Sequence, residues 1–309
     1  MPPSRHIIAI LGPTASGKSA VALELARRLP SDILSCDSMQ VYKELAIGTA
    51  KPSRAELDEV KHHLISEKSI HERFDTNQFV LAARSACELI WKQEKTVILA
   101  GGTGLYAKSL LYDFNLRPAD QTLFKTICSE AESAAGLACL RAELKAAGYD
   151  DEKSPDVFSN PRRLIRAIEI ARLTKHRQGE GNDLPPLNAV VKQFILMPPN
   201  DLLRQRIFAR TARMLADGWI EETVQLTQRG LFNTPTAYQA LGYREIHQWL
   251  EEGNHDLKAL EMVIATKTWQ YARRQLTWFK RQHPGACLLP LKHDYSVSGI
   301  VQAINAVCK

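Results

Sequence analysis

Eight residues constrain this chain more than any others: Gly12, Pro13, Thr14, Ala15, Ser16, Gly17, Lys18 and Ser19 carry the spacing of a phosphate-binding loop. The run before them, HIIAIL at 6–11, is continuously apolar, as expected of a strand buried on both faces of a parallel sheet. After them Val21, Ala22, Leu25, Ala26 and Leu29 recur at helical spacing until Pro30. Strand, glycine loop and helix in that order predict backbone N–H groups and a helix N-terminus turned toward an anion. Lys18 adds a mobile cation, and the Ser19 hydroxyl can ligate Mg²⁺. The pattern specifies phosphate and leaves the phosphate compound open.

The rest of the chain extends this grammar. Short apolar runs at 33–36 and 96–100 read as further strands, with an amphipathic helix at 77–92 between them. From 116 to 175 only helical patterns occur: Leu137, Leu140 and Leu144 line one helix that Gly148 can stop, and Asn160-Pro161 opens another reaching about residue 174. Residues 178–186 read as a loop, 189–197 as a strand, and 201–217, 220–228 and 256–282 as helices. The expected fold is α/β: a P-loop NTPase-like core with a parallel sheet, formed by 1–115 and 187–309, and an all-helical insertion domain at 116–186. A length of 309 residues accommodates both.

Six cysteines without a CxxC pair, and no histidines at zinc spacing, fit reduced thiols. The adjacent His62 and His63 point in different directions on most backbones, so no zinc is expected there. No run approaches the ~18 apolar residues of a membrane span, so a cytoplasmic protein is expected. The net charge of +6 permits a polyanionic partner without requiring one, which shifts the question to where the charge sits.

Arg162, Arg163 and Arg166 fall on one arc of a helix, opposite Leu164, Ile165, Ile168 and Ala171, with almost no acidic residues nearby. Residues 262–293 contain no Asp or Glu, yet carry Lys267, Arg273, Arg274, Lys280, Arg281 and Lys292 interleaved with Trp269, Tyr271, Trp278 and Phe279. Solvated helix faces and core aromatics account for most such patterns, and Trp278 fits a core position; unpaired guanidinium groups fit phosphates better. The strand at 96–100 runs into Gly101-Gly102-Thr103-Gly104, where an ATPase would carry an acid. The strand-terminal acid is instead Asp37, whose chemistry allows a metal-ordering residue, a turn cap or a general base.

Taken together, GPTASGKS (12–19), DSMQVY (37–42), IGTAKP (47–52), HHL (62–64), GGTGLY (101–106), NPRRLIRAIE (160–169), QALGYRE (239–245) and ARRQLTWFK (272–280) resemble the tRNA dimethylallyltransferase family over nearly the whole chain. The resemblance implies that loop 12–19 holds the diphosphate of dimethylallyl diphosphate, with Lys18, Ser19 and Mg²⁺ neutralising the leaving pyrophosphate and Arg210 on the same side. It implies Asp37 as the base toward the exocyclic amine of adenine and Thr103 near the reacting centre. It implies tRNA contacts, through the anticodon stem-loop, from Asp37, Ser38, Met39, Gln40, Arg162, Arg163, Arg166, Gln239, Gly242, Tyr243, Arg244, Arg273, Arg274, Gln275, Trp278 and Lys280. The target base must then leave its stack.

One departure lies soon after Asp120, where the family often carries an arginine and the nearest base here is Lys125, and a chain ending at Lys309 without a zinc-binding extension suggests a bacterial source. A monomer without membrane contact is expected. The competing readings are an adenylate isopentenyltransferase of the cytokinin type, a P-loop small-molecule kinase and a non-catalytic RNA-binding module.

Overall fold

The computed structural model describes residues 5–112, 115–116, 119–174, 182–185, 187–253 and 256–308. In chain order, the first elements are β1 (His6–Leu11), α1 (Lys18–Ala26), β2 (Ser31–Ser35), α2 (Arg54–Glu59), β3 (His62–His63), α3 (Thr76–Trp91), β4 (Thr96–Gly101) and α4 (Gly104–Leu111). They are followed by β5 (Asn115–Leu116), α5 (Gln121–Glu130), α6 (Ala134–Ala146), α7 (Pro155–Ser159), α8 (Pro161–Thr174) and β6 (Asn182–Asp183). The chain then continues through β7 (Val190–Met197), α9 (Asn200–Ala216), α10 (Trp219–Gln228), α11 (Tyr243–Glu251), α12 (Leu257–Gln282), β8 (Cys287–Pro290) and α13 (Val297–Cys308). Two compact units result: Met1–Tyr112 with Leu187–Lys309, and Asp113–Pro186.

The first unit is built on a parallel six-stranded sheet in the order β3-β2-β4-β1-β7-β8. β1 lies between β4 and β7, and Ile7 to Leu11 are almost wholly buried, which explains their unbroken apolar run. Val21, Ala22, Leu25 and Ala26 of α1 pack with Ile8, Ile10, Ile98 and Phe194 of the strands and with Ile300, Val301 and Ile304 of α13. The remaining boundaries follow local chemistry. Asp75 accepts from the backbone of Asn77 and Gln78 in a capping box that starts α3, Asp256 caps α12 through Ala259 N–H, and Gly218 (φ 98°) separates α9 from α10.

In the second unit α5, α6, α7 and α8 enclose Ile127, Leu140, Leu144, Phe158, Leu164, Ala167 and Ile168. Gly148 adopts φ 88° just past α6, as its position in the sequence suggests. The loop expected at 178–186 differs in one respect: Asn182–Asp183 pair antiparallel with Asn115–Leu116, while 178–181 and 186 lie outside the described residues.

Candidate functional site

Parallel pairing brings the carboxyl ends of β1, β2 and β4 to one edge of the sheet. Leu11 lies opposite Gly101 and Ser35 opposite Ala100, so the segments beginning at Gly12, Cys36 and Gly102 leave the sheet side by side. Glycine is required where they touch. A Cβ on Gly101 would fall 2.0 Å from the Cys36 carbonyl oxygen, and one on Gly102 would fall 3.3 Å from Gly12 O and 3.6 Å from Lys18 Nζ. Within the loop Ala15 (φ 62°) and Gly17 (φ 87°) take left-handed conformations, and Gly17 is the residue before α1.

The polar groups around this edge are tied to one another. Gln275, in the middle of α12, accepts from Thr14 N–H at 2.9 Å and donates Nε2 to Gly102 O at 2.8 Å. One side chain thereby joins the phosphate loop to the glycine loop after β4. Arg210, half-buried on α9, donates to Thr14 Oγ1, and Lys18 Nζ donates to Pro13 O at 3.2 Å. Burial pushes the Lys18 ammonium down from 10.5 to about 8; Asp37 opposes that shift and Arg210 adds to it. Burial also lowers Arg210, again opposed by Asp37. Three charged groups therefore sit within electrostatic reach at the mouth of the loop: two cations and one carboxylate.

Asp37 follows Cys36 at the end of β2. Its Oδ1 accepts from Met39 N–H at 2.9 Å and Gln40 N–H at 3.3 Å, which closes the turn, while Oδ2 accepts no hydrogen bond among the described residues. Thr103 stands across from it: its Oγ1 accepts from Ser38 N–H at 3.1 Å and its own N–H reaches Cys36 O at 3.2 Å. The geometry makes Asp37 a turn cap with one oxygen and leaves the other oxygen available for chemistry. Two further groups meet what an anion with a divalent cation requires. Ser16 Oγ is buried without a partner, and the exposed Ser19 hydroxyl has no protein partner among the described residues.

Several residues read from the sequence as RNA-facing point inward instead. Gln275 is 8% exposed, with its amide engaged as described. Gln40 donates Nε2 to Thr49 O and Ala50 O and accepts from Ser35 Oγ, which makes it a strut between two turns. Tyr243 is wholly buried and donates to Glu222 at 2.6 Å; Gly242 packs tightly, and a Cβ there would fall 2.1 Å from the Trp219 ring. Trp278 packs on Gly104, whose added Cβ would meet its Cδ1 at 2.2 Å. The motifs 239–245 and 272–280 thus mix packing residues with outward ones, a distinction that helical periodicity alone does not resolve.

The outward set is Gln239, Arg244, Arg273, Arg274, Lys280, Arg162 and Arg163, all exposed, with Ser38, Met39 and Arg166 partly so. The expectation that the α8 arginines lack acidic partners is corrected: Arg163 pairs with Asp156 from α7, and Arg166 pairs with the buried Glu169 one turn on at 2.5 Å. Lys267 pairs with Glu245 at 2.8 Å. Arg273, Arg274, Lys280 and Arg281 make no ion pair among the described residues, and the Arg274 guanidinium lies 5.9 Å from the centre of the Tyr271 ring.

Sequence reasoning missed Glu222, which gathers the N–H groups of Ala46, Ile47 and Gly48 and so holds the 46–51 loop that receives Gln40. The glycines at 48 and 242 were the available signal, since both touch Trp219. His63 of β3 bonds the buried Asp32 at 3.0 Å, which Lys95 also contacts at 2.9 Å, giving the HHL motif a place at the sheet edge. Among the described residues no helix is long and apolar enough to cross a membrane.

Comparison with known proteins places this geometry among relatives. The sequence pattern of the family described as IPP transferase matches residues 40–282. A tRNA dimethylallyltransferase of Acetivibrio thermocellus is 37% identical over 283 residues, covering 89% of each chain. One from Halorhodospira halophila is 38% identical over 286 residues, covering 90% of this chain and 91% of the relative. A tRNA isopentenylpyrophosphate transferase from Bacillus halodurans superposes with a TM-score of 0.70 at 30% identity, over 99% of this chain and 96% of its own. A eukaryotic dimethylallyltransferase acting on tRNA superposes with a TM-score of 0.72 at 25% identity, over 93% and 74%.

Proposed function

The chain belongs to the IPP transferase family, and on that premise we propose that it transfers a dimethylallyl group from dimethylallyl diphosphate to the exocyclic N6 amine of the adenosine 3′-adjacent to the anticodon in tRNA, releasing pyrophosphate. The observation that carries this reading is the free Oδ2 of Asp37 beside a phosphate loop whose neighbouring strand ends in glycine. β4 ends in Gly101-Gly102, where a P-loop ATPase would carry an acid.

In this reading the allylic C–O bond breaks and its electron pair stays with the pyrophosphate oxygen. The N–H groups of the loop, Lys18 and Arg210 face that developing charge. The adenine nitrogen forms the new C–N bond, and its proton passes to Asp37 Oδ2, with Thr103 holding the Asp37 turn through Ser38. Ser19 would hold Mg²⁺, which supplies further neutralisation of the diphosphate. RNA contacts come from Arg244, Arg273, Arg274 and Lys280 within the first unit and, separately, from Arg162 and Arg163 within the second, and the chain acts as a cytoplasmic monomer.

Labelled donor separates the rivals. Label moving from dimethylallyl diphosphate into an anticodon stem-loop supports the proposal; label moving equally well into AMP, or phosphate moving from ATP instead, contradicts it. Two outcomes follow from the charges. Lys18 loses its proton as pH rises through about 8, so the affinity for pyrophosphate is expected to fall above that pH, approaching tenfold per unit. Calorimetric titration across pH measures this, and Lys18→Met should abolish the step. Replacing Arg273 and Arg274 with alanine should weaken RNA binding uniformly and reduce the salt slope by about one for each phosphate no longer neutralised; an unchanged slope places those guanidinium groups away from the RNA.

A further inference from the structure

The phosphate loop is braced from a side that no sequence motif marks. Arg206 lies one helical turn before Arg210 on α9, and both turn inward while Arg204, Gln205 and Ala209 remain exposed. The Arg206 guanidinium sits over the Tyr295 ring, 4.7 Å from its centre, and donates to the Tyr295 hydroxyl. That hydroxyl in turn donates to the Ser16 carbonyl at 3.1 Å. A Cβ on Gly17 would fall 2.9 Å from Tyr295 Oη and 3.9 Å from Arg206 Nη1, so both groups border the turn that opens α1. The short segment between β8 and α13 is stapled to α9 a second time, by His293 on Asp201 at 2.7 Å, and the Tyr295 ring packs against the sheet core.

Arg206 makes no ion pair with a carboxylate among the described residues. A guanidinium with five donors, one of them on a phenol, and placed beside the residue that precedes a phosphate-binding helix, has the chemistry of an anion ligand. Resting on the reading of this loop as the donor's diphosphate site, we propose that Arg206 is a second guanidinium for the pyrophosphate group and that Tyr295 positions it. Arg210 bonds the loop directly at Thr14 Oγ1, whereas Arg206 borders it at Gly17 and reaches the Ser16 carbonyl through the Tyr295 hydroxyl, so the two arginines flank different parts of the loop.

Binding of inorganic pyrophosphate to the full-length chain tests this by calorimetry. Arg206→Ala should weaken pyrophosphate about 10- to 100-fold, the range for a charge-assisted hydrogen bond. KM for dimethylallyl diphosphate should rise in parallel, with KM for tRNA unchanged. Tyr295→Phe, which keeps the ring and loses the hydroxyl, should weaken pyrophosphate about 3- to 10-fold. It should have no further effect once Arg206 is alanine, because it acts through Arg206. Arg206→Lys should recover part of the affinity and controls for folding. Wild-type affinity in Arg206→Ala, or an equal Tyr295→Phe effect in both backgrounds, overturns the assignment. A wild-type chain that binds pyrophosphate through Arg206 yet transfers no prenyl group would contradict the proposed reaction and leave the arginine assignment standing.

Discussion

Asp37→Asn is expected to lower kcat about 10²- to 10⁴-fold, the usual contribution of a placed general base, while leaving both KM values and the melting temperature near wild type. The two oxygens of Asp37 make this substitution informative. Oδ1 closes the turn by accepting from Met39 and Gln40, and the carbonyl oxygen of asparagine can do the same. Oδ2 has no protein partner among the described residues, and asparagine replaces it with an amide that cannot take a proton. Asp37→Ala loses both roles, so its folding and its chemistry would change together. Steady-state rates with tRNA and donor in excess check the difference. A kcat within threefold of wild type in Asp37→Asn would remove the base and leave Asp37 as a cap.

Gln275→Leu is expected to reduce kcat/KM for the donor at least as severely as the loss of one cation and to lower thermal stability measurably. The Gly102 carbonyl is buried, and without the amide it keeps no partner from α12; an unpaired buried acceptor costs about 1–3 kcal/mol. The Thr14 N–H loses its acceptor in the same step, so the phosphate loop and the 101–104 loop are no longer held at a common distance. Gln275→Glu separates these effects. The carboxylate can still accept from Thr14 but faces the Gly102 oxygen without a proton, so half of the strut survives. Kinetics with varied donor, alongside melting curves for both variants, measures the outcome. Donor kinetics at wild-type values in Gln275→Leu would show that the two loops hold their spacing without α12.

The phosphate loop, β1 and α1 were legible in the sequence because their constraints are local: a buried run, two glycines at fixed spacing and a helical repeat. Strands β4 and β7 were legible for the same reason. β8 escaped because CLLP is four residues long with half of them exposed, so nothing in its pattern distinguishes it from a loop. Gln275 and Thr14 stand 261 residues apart, and a neutral amide inside a basic run carries no sign of a buried strut. The pairing of Arg163 with Asp156 depends on how α7 meets α8, which a helical wheel drawn for α8 alone omits. Tyr295 illustrates the same limit: its role exists only because the segment after β8 returns to the end of β1. What the sequence stated well was which chemistry belongs to the sheet edge; which side chains support it follows from contacts between distant segments.

The most direct measurement is mass spectrometry of nuclease digests of tRNA incubated with the chain, Mg²⁺ and dimethylallyl diphosphate. A gain of one isopentenyl unit is expected, confined to the fragment carrying the adenosine 3′-adjacent to the anticodon and absent with Asp37→Asn over the same interval. Unmodified tRNA, or a gain on any other nucleotide, would contradict the account.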